Sequence, residues 1–304
     1  MRAGMKLFDR YRAEQGRPDI LHAHSTLMGG VLAARISHMT GVPYVVTEHS
    51  SLYGRDALRS WQLDKARQAL AGSRARIVVS PQLGRALEAR LGQAACPWIW
   101  VPNLVDAAFL AVPLRTTGQS EPFRFLNVAL LSENKGHVHL LEAFARAFGG
   151  SRDVELRIGG DGPMRRTLEK TAERLGISES VRFLGRLDRH RVLEEVVEAD
   201  VFVLSSLVET FGVVLVEALA CGTPVIATRS GGPECIVQPG DGLLVEPGQP
   251  GELAVAMLQM YRDVSGFEPA AIRERCRARF SEDSVVASLE AIYHEATLGR
   301  VVRA

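Results

Sequence analysis

Short apolar runs alternate with stretches of helical period along almost the whole of the 304-residue chain. Apolar side chains recurring every three to four positions mark amphipathic helices, while compact runs of β-branched and large apolar residues mark strands buried on both faces. In the first third this pattern predicts strands at 20–22, 44–46 and 77–79, and a shorter one at 98–101. Helices are predicted at about 6–15, 29–39, 57–71 and 82–91. The stretch from about 106 to 122 is polar and poorly periodic, carries Pro113, Gly118 and Pro122, and predicts a linker. A second alternating series follows, with strands at 125–130, 154–158, 181–183, 201–204, 225–227 and 243–245. Its helices are expected near 138–148, 164–175, 189–198, 212–220 and 250–262, and two more, about 269–279 and 283–297, close the chain.

Such alternation is the rhythm of parallel α/β sheets. The expected organisation is a first domain over 1–106, a linker over 107–122, a second domain over 123–281, and a C-terminal helix over 282–304 packing back toward the first. Each domain is expected to be a doubly wound, Rossmann-like sheet binding ligands at the carboxyl ends of its strands, and two such sheets facing each other make a cleft.

The densest chemical signal is Glu209-Thr210-Phe211-Gly212-Val213-Val214-Leu215-Val216-Glu217. Glu217 stands in the middle of an otherwise apolar helix, where an ionised carboxylate is costly to bury unless a donor meets it. Two donors are open to it: a pair of ligand hydroxyls, since a carboxylate only accepts, or an arginine from an adjacent helix. Glu209, on the preceding turn, either faces a ligand or caps its own turn. The N–H groups of Phe211 and Gly212 at the helix N-terminus suit an anion. Lys135 lies at a strand-to-helix turn, and Gly159-Gly160-Asp161-Gly162-Pro163 is a tight turn open to close approach by a ligand. In the first half, His22 and His24 are two apart in a strand and so point the same way, with His24 at its carboxyl end. Glu48 and His49 end the neighbouring strand similarly. A metal held by His22, His24 and Glu48 is the weaker alternative, because no further ligand spacing supports it.

As an ordered series these segments resemble the family-4 retaining glycosyltransferases, whose GT-B fold sets two Rossmann-like domains across a cleft. The resemblance rests on the two glutamates with seven residues between them and on the Ala-Cys-Gly-Thr-Pro-Val-Ile-Ala that follows. It rests also on Asn134-Lys135-Gly136 after the strand at 125–130, on Phe183-Leu184-Gly185-Arg186, and on Gly231-Gly232-Pro233-Glu234, and it covers about 15–295. It implies transfer of a sugar from a nucleoside-diphosphate sugar to a glycan, lipid-linked or small-molecule acceptor, with retention and with neither metal nor cofactor, as in cell-envelope or exopolysaccharide synthesis. It assigns Glu209 to the donor sugar, Glu217 to the ribose and Lys135 to the leaving diphosphate. Thr210, Phe211 and Gly212 offer main-chain donors, Gly160 and Arg186 border the nucleotide, His24 joins Glu209 and Lys135 as a catalytic residue near the donor phosphate or acceptor, and His49 and Glu48 lie on the acceptor side.

Two departures qualify it. The family often has Gly-Arg-Leu where this chain reads Ala129-Leu130-Leu131, and losing one of two cations on a diphosphate costs several kcal/mol by the usual scale of electrostatic stabilisation. The chain also opens on a helix where family members begin with a glycine-rich strand-turn, so the first domain is expected to be truncated. The alternative function is therefore a non-catalytic nucleotide-sugar-binding remnant, or a subunit that needs a partner.

Composition changes this picture little. Apolar residues make up 46% and charged residues 23%, as in ordinary globular proteins. No run approaches the ~20 apolar residues of a membrane span, and the N-terminus lacks the apolar core of a signal peptide. Cys96, Cys221, Cys235 and Cys276 have no disulfide-like or zinc-like spacing, which fits a cytoplasmic location. Residues 1–110 carry 14 Lys/Arg against 8 Asp/Glu, and that excess suits either peripheral association at the inner face of a membrane or ordinary arginine scatter. With no basic run interleaved with aromatics, nucleic acid is not an expected partner.

Overall fold

The computed structural model describes residues 1–54, 58–92, 97–114 and 121–302. Cys96, the centre of the expected linker (115–120, with Gly118) and the start of the helix expected from 57 lie outside these residues. The chain divides into two compact units, Met1–Asn103 with Asp283–Ala304, and Leu104–Glu282.

In the first unit α1 (Arg2–Gln15), β1 (Leu21–His24), α2 (Val31–Thr40), β2 (Tyr44–Glu48), α3 (Ser60–Ala71), β3 (Ala75–Val78), α4 (Pro81–Leu91) and β4 (Trp98–Trp100) follow in turn. Among the described residues the strands form one parallel sheet in the order β1-β2-β3-β4. Side chains alternate across a strand, so β2 is buried throughout only if both faces are covered. Val45 turns to Ala75, Ile77 and the C-terminal helix (Glu282–Thr297), meeting Val285, Ile292 and Ala296. Tyr44 and Val46 turn the other way, to Ala33 and Leu70. β1 runs two residues beyond the strand expected at 20–22, because its ladder with β2 continues to His24 opposite Thr47. The chain then makes a π-helical stretch, Ser25–Gly30, that delays α2. Ser25 enters it at φ 74°. A left-handed non-glycine residue and a π turn are both costly features that concentrate at functional sites.

The second unit opens on a difference from expectation. Within the stretch assigned to the linker lies α5 (Ala107–Ala111), with Phe109 only 1% exposed. Asp106 caps it, Oδ1 accepting the Ala108 N–H at 2.9 Å. A capped apolar turn that docks a phenylalanine outweighs the polar residues around it. After it come β5 (Phe123–Val128), α6 (His137–Phe148), β6 (Val154–Gly159), α7 (Arg165–Arg174), β7 (Val181–Gly185) and α8 (Arg189–Glu198). β8 (Val201–Leu204), α9 (Val213–Ala220), β9 (Val225–Thr228), β10 (Gly242–Val245), α10 (Pro250–Asp263) and α11 (Pro269–Phe280) complete the unit. The strands are parallel in the order β10-β9-β8-β5-β6-β7. One face buries Phe125, Leu156, Ile158 and Val203 against Leu140, Phe144, Leu168 and Met257. Each such side chain contributes roughly 1.5–3 kcal/mol. Across the sheet, α9 packs against α8 and α11.

The strand order reverses between β5 and β8, and an open α/β sheet has its crevice at such a reversal, outside the carboxyl ends of the strands. The turn after β6 braces the segment after β5. Gly160 has φ 127°, and a Cβ there would lie 1.9 Å from the Ala129 carbonyl oxygen. Gly160→Ala should therefore destabilise the protein by about 2 kcal/mol or more, measured as a lowered urea midpoint.

Candidate functional site

The turns that leave β5 and β8 are stitched together across this reversal. Ser205 Oγ donates to the Lys135 carbonyl at 2.9 Å, and the Leu207 N–H donates to the Asn134 carbonyl at 2.8 Å. Gly136 permits the approach: at φ 65°, a Cβ would sit 2.0 Å from the Ser205 oxygen. On this base Lys135 Nζ donates to Glu209 Oε2 at 2.6 Å. Glu209 Oε1 accepts the Thr210 N–H at 3.1 Å. The backbone of Glu209 is fixed in turn, its N–H donating to the Ser230 carbonyl and its carbonyl accepting from the Gly232 N–H. Lys135 and Glu209, 74 positions apart in the chain, thus form one partly buried, charge-assisted pair.

Gly212, at φ 102°, caps α9. Phe211 is buried against the ring of Phe280, so its main chain, not its side chain, is what the turn can offer. Glu217 is 4% exposed and its Oε1 lies 3.1 Å from Nη1 of Arg189, the first residue of α8. Arg189 is itself held by Asp106, Nε to Oδ2 at 2.9 Å, with its guanidinium 5.2 Å from the centre of the Phe109 ring. Burial pushes the Glu217 carboxyl above its ordinary value, and the Arg189 charge opposes that push. The arginine alternative for Glu217 and the turn-cap alternative for Glu209 are both present in this geometry. Of the three groups around Glu217, only Asp106 has a local signal, an N-cap residue before an apolar run.

At the carboxyl ends of β5, β6 and β7 lies a cavity of about 540 Å³ lined by residues that include Ala129, Leu130, Gly160, Asp161, Arg186 and Leu187. It brings Gly160 and Arg186 together, but Lys135, Glu209 and Glu217 are not in its lining. β5 ends at Val128 rather than continuing to 130, leaving Leu130 63% exposed on the cavity wall.

In the first unit the carboxyl ends of β1 and β2 carry three histidines in a stack. The rings of His22 and His24 are 4.5 Å apart, those of His24 and His49 5.2 Å apart, and His24 Nδ1 shares a hydrogen bond of 2.9 Å with His49 Nε2. His22 is gripped on both sides, Nδ1 by the Tyr293 hydroxyl at 2.5 Å and Nε2 by the Thr47 hydroxyl at 2.6 Å. Glu48 departs from its expected place on the acceptor side. It is fully buried and its carboxylate is consumed by four donors. Oε2 accepts from the Thr26 N–H and hydroxyl, and Oε1 from the N–H groups of His49 and Ser50. Such a group orders the turn after the strand, and it also removes Glu48 from the metal set considered with His22 and His24. Among the described residues no cluster of three His, Cys, Asp or Glu side chains is placed to hold a metal ion.

The family model described as "Glycosyl transferases group 1" matches residues 115–279, and "Glycosyltransferase Family 4" matches residues 2–109. The chain belongs to this glycosyltransferase family. It is 28% identical over 282 residues to a component of the phosphatidylinositol N-acetylglucosaminyltransferase of Arabidopsis thaliana, covering 91% of this chain and 62% of that protein. It is 43% identical over 134 residues to the lipopolysaccharide core biosynthesis glycosyltransferase LpsE of Rhizobium meliloti, covering 44% and 38%. The solved structure of Anabaena HepE in complex with UDP superposes with a TM-score of 0.83 at 22% identity, covering 96% of this chain and 82% of that one. The two parallel-sheet units are thus those of the GT-B fold. The match spans 62% of the length of the first of these curated relatives and 38% of the second.

Within this family member, two histidines are held neutral by burial. His22 is lowered to about 4, with His24 and His49 adding to the effect, and so is His137, which is 2% exposed and has no partner for either ring nitrogen among the described residues. In the unfolded chain both take up a proton below about 6.5. The unfolded state therefore binds more protons between about pH 4 and 6.5, and stability falls as pH drops through that window. Thermal melts from pH 7 downward should show this decline, and His137→Leu should flatten it.

Proposed function

We propose that this chain is the donor-binding part, and much of the acceptor part, of a retaining glycosyltransferase. It moves a sugar from a nucleoside-diphosphate sugar to a glycan, lipid-linked or small-molecule acceptor, without a metal. The observation that carries the reading is the Lys135–Glu209 pair at the reversal of the second sheet, on the turn that opens α9. A diphosphate draws the ammonium of Lys135 and gains its charge as the leaving group departs, a stabilisation worth most in the transition state. Glu209, released from the lysine, accepts hydroxyls of the donor sugar and sets its orientation. The main chain of Thr210, Phe211 and Gly212 donates to the phosphates, and Glu217 accepts from the ribose. Gly160 and Arg186 border the nucleotide through the cavity they line. His24 and His49 serve the acceptor and phosphate side of the first unit.

The relatives support this reading through the reactions their names state, phosphatidylinositol N-acetylglucosaminyl transfer in one case and lipopolysaccharide core glycosyl transfer in the other. By the same token we place the protein in envelope or exopolysaccharide synthesis, cytoplasmic and peripheral to the membrane. Among the described residues no helix is long and apolar enough to cross a membrane. The second reading, a nucleotide-sugar-binding protein without turnover, is favoured by one feature: exposed Leu130, where the family often has an arginine, lines the cavity.

Glu209→Ala and Lys135→Ala should each lower turnover of a nucleoside-diphosphate sugar by roughly 10²–10³-fold, followed as nucleoside diphosphate released in the presence of acceptor. Turnover that survives both changes would remove the transferase assignment. Donor binding by calorimetry, without any release, selects the second reading.

A further inference from the structure

We propose that Arg189 is a positioning residue for Glu217, holding its carboxylate by Oε1 so that Oε2 is left to accept a ribose hydroxyl. The inference rests on the donor-binding reading above. Its physical ground is the way Arg189 is mounted. The guanidinium is held at three points: Nε by Asp106 Oδ2 at 2.9 Å, its face by the Phe109 ring at 5.2 Å, and Nη1 by Glu217 Oε1 at 3.1 Å. Asp106 and Phe109 are themselves fixed, the first as the cap of α5 and the second as a buried side chain. The side chain is 57% exposed, but an arginine fixed at three points is pre-organised toward the carboxylate.

Arg189 also leaves half of the carboxylate open. It reaches Oε1; Oε2 has no partner among the described residues and is not one of their sealed, unpartnered polar atoms. An ionised carboxylate has about four acceptor sites, so a single guanidinium contact does not exhaust it.

The charged and titratable groups near Glu217 are few. Arg189 comes from α8 and Asp106 precedes α5, while Cys221 follows α9 and Arg273 and Cys276 lie on α11. Burial pushes both thiols up to about 12, so they stay neutral. Arg273 is directed to the carbonyls of Ala220 and Cys221. Arg189 is therefore the cation that acts on Glu217 among the described residues. Without it, burial raises the carboxyl further, and the protonated form is a poorer acceptor.

The experiment titrates UDP, GDP and ADP by calorimetry into the wild type, Arg189→Gln, Asp106→Asn, Glu217→Gln and the Arg189→Gln/Glu217→Gln double variant. The tightest nucleotide is then compared with its 2′-deoxy analogue at about pH 8 and about pH 6. Arg189→Gln should weaken nucleotide binding by roughly tenfold, with a larger loss at the lower pH. It should also narrow the preference for ribo- over deoxynucleotide. In the double variant the loss should be no greater than with Glu217→Gln alone, as expected for a residue that acts through another. Asp106→Asn, at a position whose side chain is 40% exposed, should move in the same direction and reads the effect should Arg189→Gln fold poorly. Unchanged or tighter binding by Arg189→Gln makes the arginine a bystander or a plug and overturns the proposal, as does additivity with Glu217→Gln. If Glu217→Gln binds ribo- and deoxynucleotide as the wild type does, the donor-site reading falls too; if Glu217→Gln is impaired while Arg189→Gln is not, this proposal falls alone.

Discussion

A carboxylate 4% exposed within a helix of valines, leucines and alanines is the constraint around which the second unit is arranged. The apolar positions Leu215, Val216, Ala218 and Leu219 require α9 to be covered on nearly all sides, and α8 and α11 do this. Coverage strips water from Glu217, and the desolvation has to be offset by a cation or the group loses its charge. The cation comes from the first residue of α8, and it is steadied by the residue that caps α5 and by the phenylalanine α5 buries. The helices α5, α8 and α9 therefore take their places around one charge. Without this arrangement α5 would have little reason to be ordered, being five residues long with no hydrophobic periodicity of its own.

The elements that could be read ahead of the structure are those whose signal lies in the chain itself. Strands such as β8, with Val-Phe-Val-Leu between a polar helix end and a serine turn, declare themselves by composition, and its observed bounds coincide with those expected. For the glutamate pair and Lys135 a resemblance supplied expected roles where their own patterning left each open, and the structure brings Lys135 and Glu209 together. What was not legible depended on partners distant in sequence. α5 was hidden because Pro113, Gly118 and Pro122 outweigh a single turn of helix whose value lies in docking Phe109. The π-helical stretch after His24 follows from the need to bring the Thr26 N–H and hydroxyl onto Glu48, a contact across 22 positions. The grip of Tyr293 on His22 spans 271 positions and leaves no trace in local pattern.

Three glutamates stood out in the sequence, and counting their acceptor sites separates them in a way that exposure alone does not. Glu48 and Glu217 are both buried, at 0% and 4%. Yet Glu48 has four donors, two to each oxygen, from groups fixed in the backbone or in a threonine that Tyr53 also contacts. Nothing more can be added to it without breaking the turn it organises, so its charge belongs to the fold. Glu217 has one donor on one oxygen, and its other oxygen is open. Glu209 lies between these extremes with three donors: Oε1 accepts from the N–H of the next residue, and Oε2 from the Ser206 hydroxyl at 3.4 Å and from a lysine on a long, flexible stem that is partly exposed. The lysine contact is a single point on a mobile stem and can be exchanged for the higher charge of a diphosphate, whereas the main-chain contact persists and keeps the carboxylate aimed. Unspent acceptor capacity thus marks Glu209 and Glu217 as groups able to meet a ligand, and its absence at Glu48 explains why a residue at an apparently equivalent strand end is structural instead.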